Sequence, residues 1–260
     1  MDYDRKMQIL HILRSRHYVS VNDLCAQLFV SSSTVRRELK ELEDSRQIQR
    51  SRGGAYLIEG NMTEDVYSIR ERQHVFEKQN IAGQALQLIH DGMTIFLDSS
   101  STVYILAQMI DGRNNLCVIT NSLKVVLCLA ARKGLTVLCA SGRPRPGTVS
   151  LVGQSSVDYL RGFNADAAFI SACGFDVEKG TSEASEEEAR IKRTYIDNAE
   201  RSYLLCDTSK MGKRFLCRTA SLNEFSKIVT EDQNVNRQLA SWIKKDGDAC
   251  ERIRNQGEML

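Results

Sequence analysis

The sequence predicts an α/β protein with a small helical domain in front of it. Three observations carry that prediction. Apolar residues recur at helical spacing through the first fifty positions. From Ile81 onward, short apolar strands alternate with helices, and small polar residues follow the strand ends.

In chain order, Met7, Leu10 and Leu13, broadened by Ile9 and Ile12, form the apolar stripe of a first helix that begins near Asp4. Ser20, with Asp23 three residues on, resembles a capping box in which Asp replaces the usual Glu or Gln. It opens a short second helix burying Leu24, Cys25 and Leu28, and Phe29-Val30 makes the turn out of it. Ser31 is a good N-cap for a third helix, because its hydroxyl can accept from N–H groups that the first turn leaves unbonded. Val35, Leu39 and Leu42 face inward at helical spacing, which leaves Ser32, Ser33, Thr34, Arg36, Arg37 and Lys40 toward solvent. Ile48 to Leu57, bent at Gly53-Gly54, reads as a two-stranded wing.

Three short helices and a wing make a winged helix-turn-helix. Such a third helix enters the major groove by its N-terminal end, where phosphates meet free amides and arginines reach base edges. The candidate DNA-binding residues are therefore Ser31, Ser32, Ser33, Thr34, Arg36, Arg37 and Lys40, with Arg50 and Arg52 of the wing on phosphates. A solvated helix face would explain any one charge cluster. The ordered set of cap, apolar stripe, basic face and Gly-Gly hairpin favours double-stranded DNA as partner.

A chain of 260 residues suits a small domain plus a medium one, and its net charge of +2 confines basic character to the stretch around Arg36 to Arg52. No apolar run approaches the roughly 20 residues of a membrane helix, and Asp2 and Asp4 ahead of Arg5-Lys6 do not make a signal peptide, so a cytoplasmic protein is expected. Eight scattered cysteines without a Cys-x-x-Cys pair, and four isolated histidines, predict neither a disulfide framework nor a metal site. The domains are drawn as 1–58 for the winged helix-turn-helix, 59–77 for a linker partly helical around Ile69 to Phe76, 78–233 for the α/β domain and 234–260 for a C-terminal helical tail. Leu239, Trp242 and Ile243 of the tail are candidates for packing or for an interface.

In the larger domain a helix over Ile81 to Ile89 ends at Asp91-Gly92. Strands are expected at Thr94–Leu97, Leu116–Thr120, Leu135–Cys139, Ala167–Ile170, Arg201–Cys206 and Ile228–Thr230. Helices are expected at Val103–Met109, Leu123–Ala131, Val157–Leu160 and Glu186–Asn198. This alternation implies a mostly parallel sheet covered on both faces. Asp98-Ser99-Ser100-Ser101-Thr102, Thr120-Asn121-Ser122, Gly142-Arg143 and Asp207-Thr208-Ser209-Lys210 follow strand ends, where open α/β sheets bind ligands. Ser99 to Thr102 at a helix start offers hydroxyls and amides to a phosphate, whereas plain capping accounts for one hydroxyl rather than four.

The motifs together resemble the DeoR family of bacterial transcriptional regulators. Val30-Ser31, Thr34-Val35-Arg36-Arg37-Glu38-Leu39 and the later Arg50, Gly53-Gly54-Ala55 match its N-terminal signature. Arg52 stands at a usual histidine, and His17 and Arg46 at usual turn glycines. The strand-end loops above, with Gly174-Phe175-Asp176 and Glu188-Ala189-Arg190-Ile191-Lys192-Arg193, match its effector domain, with Ser100 in place of glycine. The resemblance implies a fold similar to ribose-5-phosphate isomerase and CoA-transferases. It also implies a repressor of a carbohydrate-utilisation operon, with a phosphorylated sugar as effector and no cofactor. The effector candidates are Asp98, Ser99, Ser100, Ser101, Thr102, Asn121, Gly142, Asp176, Lys192 and Lys210. Lys210 and Lys192 or Arg193 would neutralise phosphate, and Asp98 and Asp176 would bind sugar hydroxyls. Paired half-sites on DNA call for a homo-oligomer, at least a dimer. The rival readings are a sugar-phosphate isomerase using Glu183, Glu188, Asp176, Lys192 or Lys210, and a scaffold without selective DNA binding.

Overall fold

The computed structural model describes residues 2–16, 18–45, 47–51, 53–57 and 67–240. They fall into two compact units, Met1–Ile69 and Arg70–Leu260. His17, Arg46, Arg52, Trp242 and Ile243, each named in the sequence reading, lie outside the described residues.

The first unit runs α1 (Asp2–Arg16), β1 (Tyr18–Ser20), α2 (Val21–Leu28), α3 (Ser32–Asp44), β2 (Ile48–Ser51) and β3 (Gly54–Leu57). Leu10 and Leu13 of α1, Leu24 of α2, and Val35, Leu39 and Leu42 of α3 pack around Val19, Ile48 and Ala55 in one core. The Ser20 hydroxyl accepts from Asp23 N–H at 3.1 Å, as an N-cap should, but it also donates to the Asp23 carboxylate at 2.7 Å. The hydroxyl thus anchors the carboxylate where a capping box would aim it at backbone. Phe29 closes α2 in the left-handed region at φ 54°, fully exposed.

The wing has a third strand that the sequence reading lacks. β1 pairs with β3, giving the antiparallel order β1-β3-β2. Three residues are too few to show a period of two, so only the pairing reveals them. The two glycines of the bend serve different ends. Gly53 turns at φ +88°, whereas a Cβ on Gly54 would stand 2.5 Å from the Val19 carbonyl oxygen of β1.

After α4 (Tyr67–Arg70), the second unit continues with α5 (Val75–Leu86), β4 (Thr94–Leu97), α6 (Ser101–Met109), β5 (Leu116–Thr120), α7 (Leu123–Leu129) and β6 (Leu135–Cys139). A hairpin, β7 (Arg143–Pro144) with β8 (Leu151–Val152), precedes α8 (Gln154–Arg161) and β9 (Ala165–Ile170). Then come β10 (Gly174–Asp176), β11 (Gly180–Glu183), α9 (Glu186–Asp197), β12 (Ala199–Leu205), β13 (Cys217–Ala220) and β14 (Lys227–Val229). Residues 233–240 are helical, with Leu239 buried in the core.

Six strands form a parallel sheet in the order β14-β12-β9-β4-β5-β6. Ile95 and Leu97 of β4 enter the core beneath α5, α6 and α7. Phe96 between them enters the opposite core beneath α8 and α9. Burial on both faces explains why these strands read as apolar runs. The chain lays strands outward from β4 to β6, then returns to β9 on the other side of β4. The order therefore reverses between β4 and β9, a topological switch point. The antiparallel β10-β11-β13 sheet was not anticipated, since its short, Gly- and polar-rich strands carry no apolar pattern. Three expected helices begin earlier than read: α5 by a full turn and more, α6 and α8 by two and three residues.

Candidate functional site

On α3 the first-turn hydroxyls form a cluster. Ser31 accepts from Thr34 N–H at 3.4 Å, and its oxygen lies 2.9 Å from both Ser33 Oγ and Thr34 Oγ1. Ser32, Ser33, Arg36, Arg37 and Lys40 are exposed, and Thr34 is half-buried. Glu38 is buried and accepts from Arg5 Nε at 2.7 Å, fixing α3 against α1. Its position on the Val35-Leu42 stripe was the available signal that this carboxylate points inward. Arg50 is exposed but tied to Glu43. Its N–H donates to Glu43 Oε1 at 3.0 Å, and its guanidinium lies 3.6 Å from Oε2. A phosphate would compete with that partner.

In the second unit, polar side chains converge at the switch point. Asp98, wholly buried after β4, accepts from Ser100 N–H at 2.9 Å and from Ser171 N–H, after β9, at 2.9 Å. It thereby ties the ends of the two strands between which the sheet reverses. Lys192 of α9 donates to Glu183 at 2.7 Å and to the Ser171 carbonyl at 2.9 Å, with Asp98 at 3.6 Å. Burial alone would discharge this ammonium, but the carboxylates of Glu183 and Asp98 outweigh it and raise its pKa. Lys192 and Asp98 are therefore spent on each other and on the backbone, and act as the frame beneath the site.

The Ser99 to Thr102 run is buried, and its members differ. Ser100, in place of the expected glycine, is the N-cap of α6 and accepts from Val103 N–H at 3.2 Å. Ser99 reaches Glu188 at 3.5 Å, and Ser101 donates to the Arg70 carbonyl at 3.4 Å. The Thr102 hydroxyl has no hydrogen-bond partner among the described residues. Capping thus explains one hydroxyl of four.

Lys210 reaches in from the 3-10 turn after β12 and donates to Ser171 Oγ at 2.9 Å. Beside it is Asp207, whose Oδ2 is buried without a partner among the described residues. Burial opposes the Asp207 charge, yet Lys210, the Ser209 hydroxyl, His74 and Lys78 hold its pKa down. Lys78 of α5 was missed by the sequence reading. It is buried, donates to the carbonyls of Arg70 and Gln73 (2.8 Å to the latter), and sits at a pKa of about 8 through burial and the charge of Lys210. As with Glu38, its place on the helix stripe, three and four residues ahead of Ile81 and Ala82, was the available signal that it points inward.

Other expected residues are engaged elsewhere. The Asn121 amide donates to the Leu151 carbonyl at 3.1 Å and accepts from Tyr195 OH at 3.0 Å, so it buttresses the core. Gly142 sits at φ +144°, where a Cβ would collide with Ser156 Oγ at 2.1 Å. Asp176 closes the β10–β11 turn through Glu178 and Lys179 N–H groups and pairs with Arg214 at 2.9 Å. Arg193 pairs with Asp197 and Glu224. The carboxylates of the isomerase reading are bound too: Glu183 by Lys192 and Cys173 N–H, Glu188 by Ser150 and Arg145. Among the described residues no cluster of His, Cys, Asp and Glu could hold a metal ion, no helix is long and apolar enough to cross a membrane, and the seven cysteines form no disulfide.

The model of the DeoR-like helix-turn-helix domain matches residues 5–61, and that of the DeoR C terminal sensor domain matches residues 73–232. The chain is 32% identical over 228 residues to the uncharacterized HTH-type transcriptional regulator YulB of Bacillus subtilis, covering 88% of each. It is 32% identical over 244 residues to the HTH-type transcriptional repressor GlcR of the same organism, covering 94% of this chain and 93% of that one. To the glycerol-3-phosphate regulon repressor of Escherichia coli it is 27% identical over 223 residues, 86% of this chain and 88% of that one. Among solved structures, a ribose 5-phosphate isomerase from Methanocaldococcus jannaschii aligns over 52% of this chain and 54% of its own, at 18% identity and a TM-score of 0.39, a distant likeness.

Proposed function

The chain belongs to the DeoR family of DNA-binding transcriptional regulators, and from that premise we propose that it represses a carbohydrate-utilisation operon under control of a phosphorylated sugar. The names of its relatives point the same way: one is a glycerol-3-phosphate regulon repressor, another a putative aga operon repressor. The observation that carries the sensor half is the switch-point site. Buried hydroxyls of Ser101 and Thr102 open α6, and Lys210 donates to Ser171, whose N–H is held by the Asp98 that starts the same loop, a setting that favours a dianion.

In this reading Ser31 to Thr34, Arg36, Arg37 and Lys40 face the major groove, with Arg50 and Arg52 beside the backbone. Asp98 and Lys192 hold the effector loop in shape rather than touch the ligand. A second copy supplies the second half-site. Effector control requires that the sugar phosphate bind one of two states better, since a ligand shifts an equilibrium only by its differential affinity.

Operator fragments selected from random duplexes by the full chain, then titrated with a panel of sugar phosphates, test the proposal. At least one sugar phosphate should change operator affinity tenfold or more and raise the melting temperature. If no member of the panel does either at millimolar concentration, the effector reading is wrong.

A further inference from the structure

We propose that Lys78 is a phosphate-contacting cation of the sensor site, and that a bound phosphate draws Lys78 and Ser101 off the Arg70 carbonyl, releasing the segment that leads into the sensor unit. The inference rests on the effector reading above and assigns its regulation to named bonds.

The lead-in segment, Arg70 to His74, is tied down at three points. Two donors from different elements converge on the Arg70 carbonyl oxygen: Lys78 Nζ from α5 and Ser101 Oγ from the first turn of α6. Their common acceptor places the Lys78 ammonium at the edge of the Ser99 to Thr102 loop. Lys78 also holds the Gln73 carbonyl at 2.8 Å. Further out, Lys124 of α7 pairs with Glu71 at 2.5 and 2.6 Å. His74 ends the segment at φ 53°, a left-handed turn unusual for a histidine.

The charge around Lys78 is unbalanced. Lys210 and Arg70 face it with like charge. Asp207 and Glu71 face it with opposite charge, but Glu71 is shared with Lys124 and Asp207 with Lys210. Its direct partners are two neutral carbonyls, so the buried ammonium stays near a pKa of about 8. A phosphate at the α6 N-terminus offers both donors a charged acceptor. For Ser101 the exchange turns a neutral hydrogen bond into a charge-assisted one, roughly twice as strong, and for Lys78 it adds the attraction of an opposite charge. Lys78 and Ser101 then exchange the Arg70 oxygen for phosphate oxygens, and the partly exposed Glu71–Lys124 pair is the tether that stays. Arg70, the first residue of the sensor unit, follows directly on Ile69, the last residue of the DNA-binding unit.

The proton balance gives a direct test. A dianion beside Lys78 raises its pKa, so binding at pH 8 must take up a proton fraction of about one half at most. Calorimetry on the full chain at pH 8, in two buffers of different ionisation enthalpy and with inorganic phosphate as probe, reads that uptake. Lys78→Gln should lose the uptake and bind phosphate at least fivefold more weakly, while Lys78→Arg should keep affinity without uptake. Hydrogen exchange at 70–74 should quicken with phosphate in the wild type and be fast without it in Lys78→Gln.

A purely structural Lys78 predicts otherwise. Lys78→Gln would then melt lower but retain the full phosphate-induced rise and the proton uptake, and that result overturns the proposal. If Lys78→Gln fails to fold, Lys78→Arg decides through its proton uptake, which must vanish. A wild type that responds to neither phosphate nor any sugar phosphate brings down the effector reading itself, whereas a responsive wild type with an equally responsive variant brings down only Lys78.

Discussion

The string Ser-Ser-Ser-Thr-Val occurs twice, at residues 31–35 and 99–103, and each copy opens a helix. The helices do not start at the same serine. In the first copy Ser31 is the cap and accepts from Thr34 N–H. In the second, Ser100 is the cap and accepts from Val103 N–H, one residue later in the string. The shift has a visible cause, because Asp98 takes the Ser100 N–H and holds the chain extended for one residue more. The surroundings diverge further. Ser31, Ser32 and Ser33 are exposed, and Arg36 and Arg37 follow them. Ser99 to Thr102 are buried, and an apolar helix follows them. Five identical residues therefore signal a helix start in both places. Whether their hydroxyls are left to solvent or enclosed is decided by what the next two turns bury and by which partners meet the loop.

The largest expected break in this comparison is Asp98→Ala. It leaves two strand-end N–H groups unpaired and the Lys192 ammonium buried against Glu183 alone, so it should cost about 3–5 kcal/mol of sensor-unit stability. Urea unfolding of the full chain measures it, and a loss below about 1 kcal/mol would show that the buried network is not what holds the second copy in place. At the first copy, Arg36→Ala and Arg37→Ala should leave the fold intact by circular dichroism. Each should weaken operator binding by about 1–3 kcal/mol, roughly five- to 150-fold. Unchanged affinity in both would remove α3 from the interface. The finest cut compares caps. Ser31→Ala and Ser100→Ala should each cost about 1 kcal/mol of stability, and Ser32→Ala close to nothing. Thermal unfolding that ranks Ser101→Ala above Ser100→Ala would mean the second helix starts where the string, rather than Asp98, dictates.

Much of the fold was open to reading without coordinates. The stripe of α3, its cap at Ser31, the Gly53-Gly54 bend and all six parallel strands within two residues follow from apolar period, capping chemistry and strand-end polarity. The hidden parts share a feature. β1, the β7–β8 hairpin and the β10-β11-β13 sheet are short and held by pairing with distant segments, so no local pattern records them. In the sensor site, Lys210 and the serine loop lie where strand-end logic put them. Asp176, Asn121 and Arg193 occupy motif positions yet are consumed by a turn, a core tyrosine and an ion pair.

By itself the sequence determined the two-part plan: a helix-turn-helix with a basic third helix, then a parallel α/β sheet with hydroxyls and cations after its strands. It could do so because helix period, caps and buried strands are written in residues close along the chain. Tertiary structure alone decided which polar residues are consumed by bracing one another and which are not. That choice turns on contacts across the sheet, such as Lys192 between Asp98 and Glu183, and Lys78 meeting Ser101 on the Arg70 carbonyl. The strength of a charge or a hydroxyl depends on its burial and partners, and those come from segments far apart in sequence.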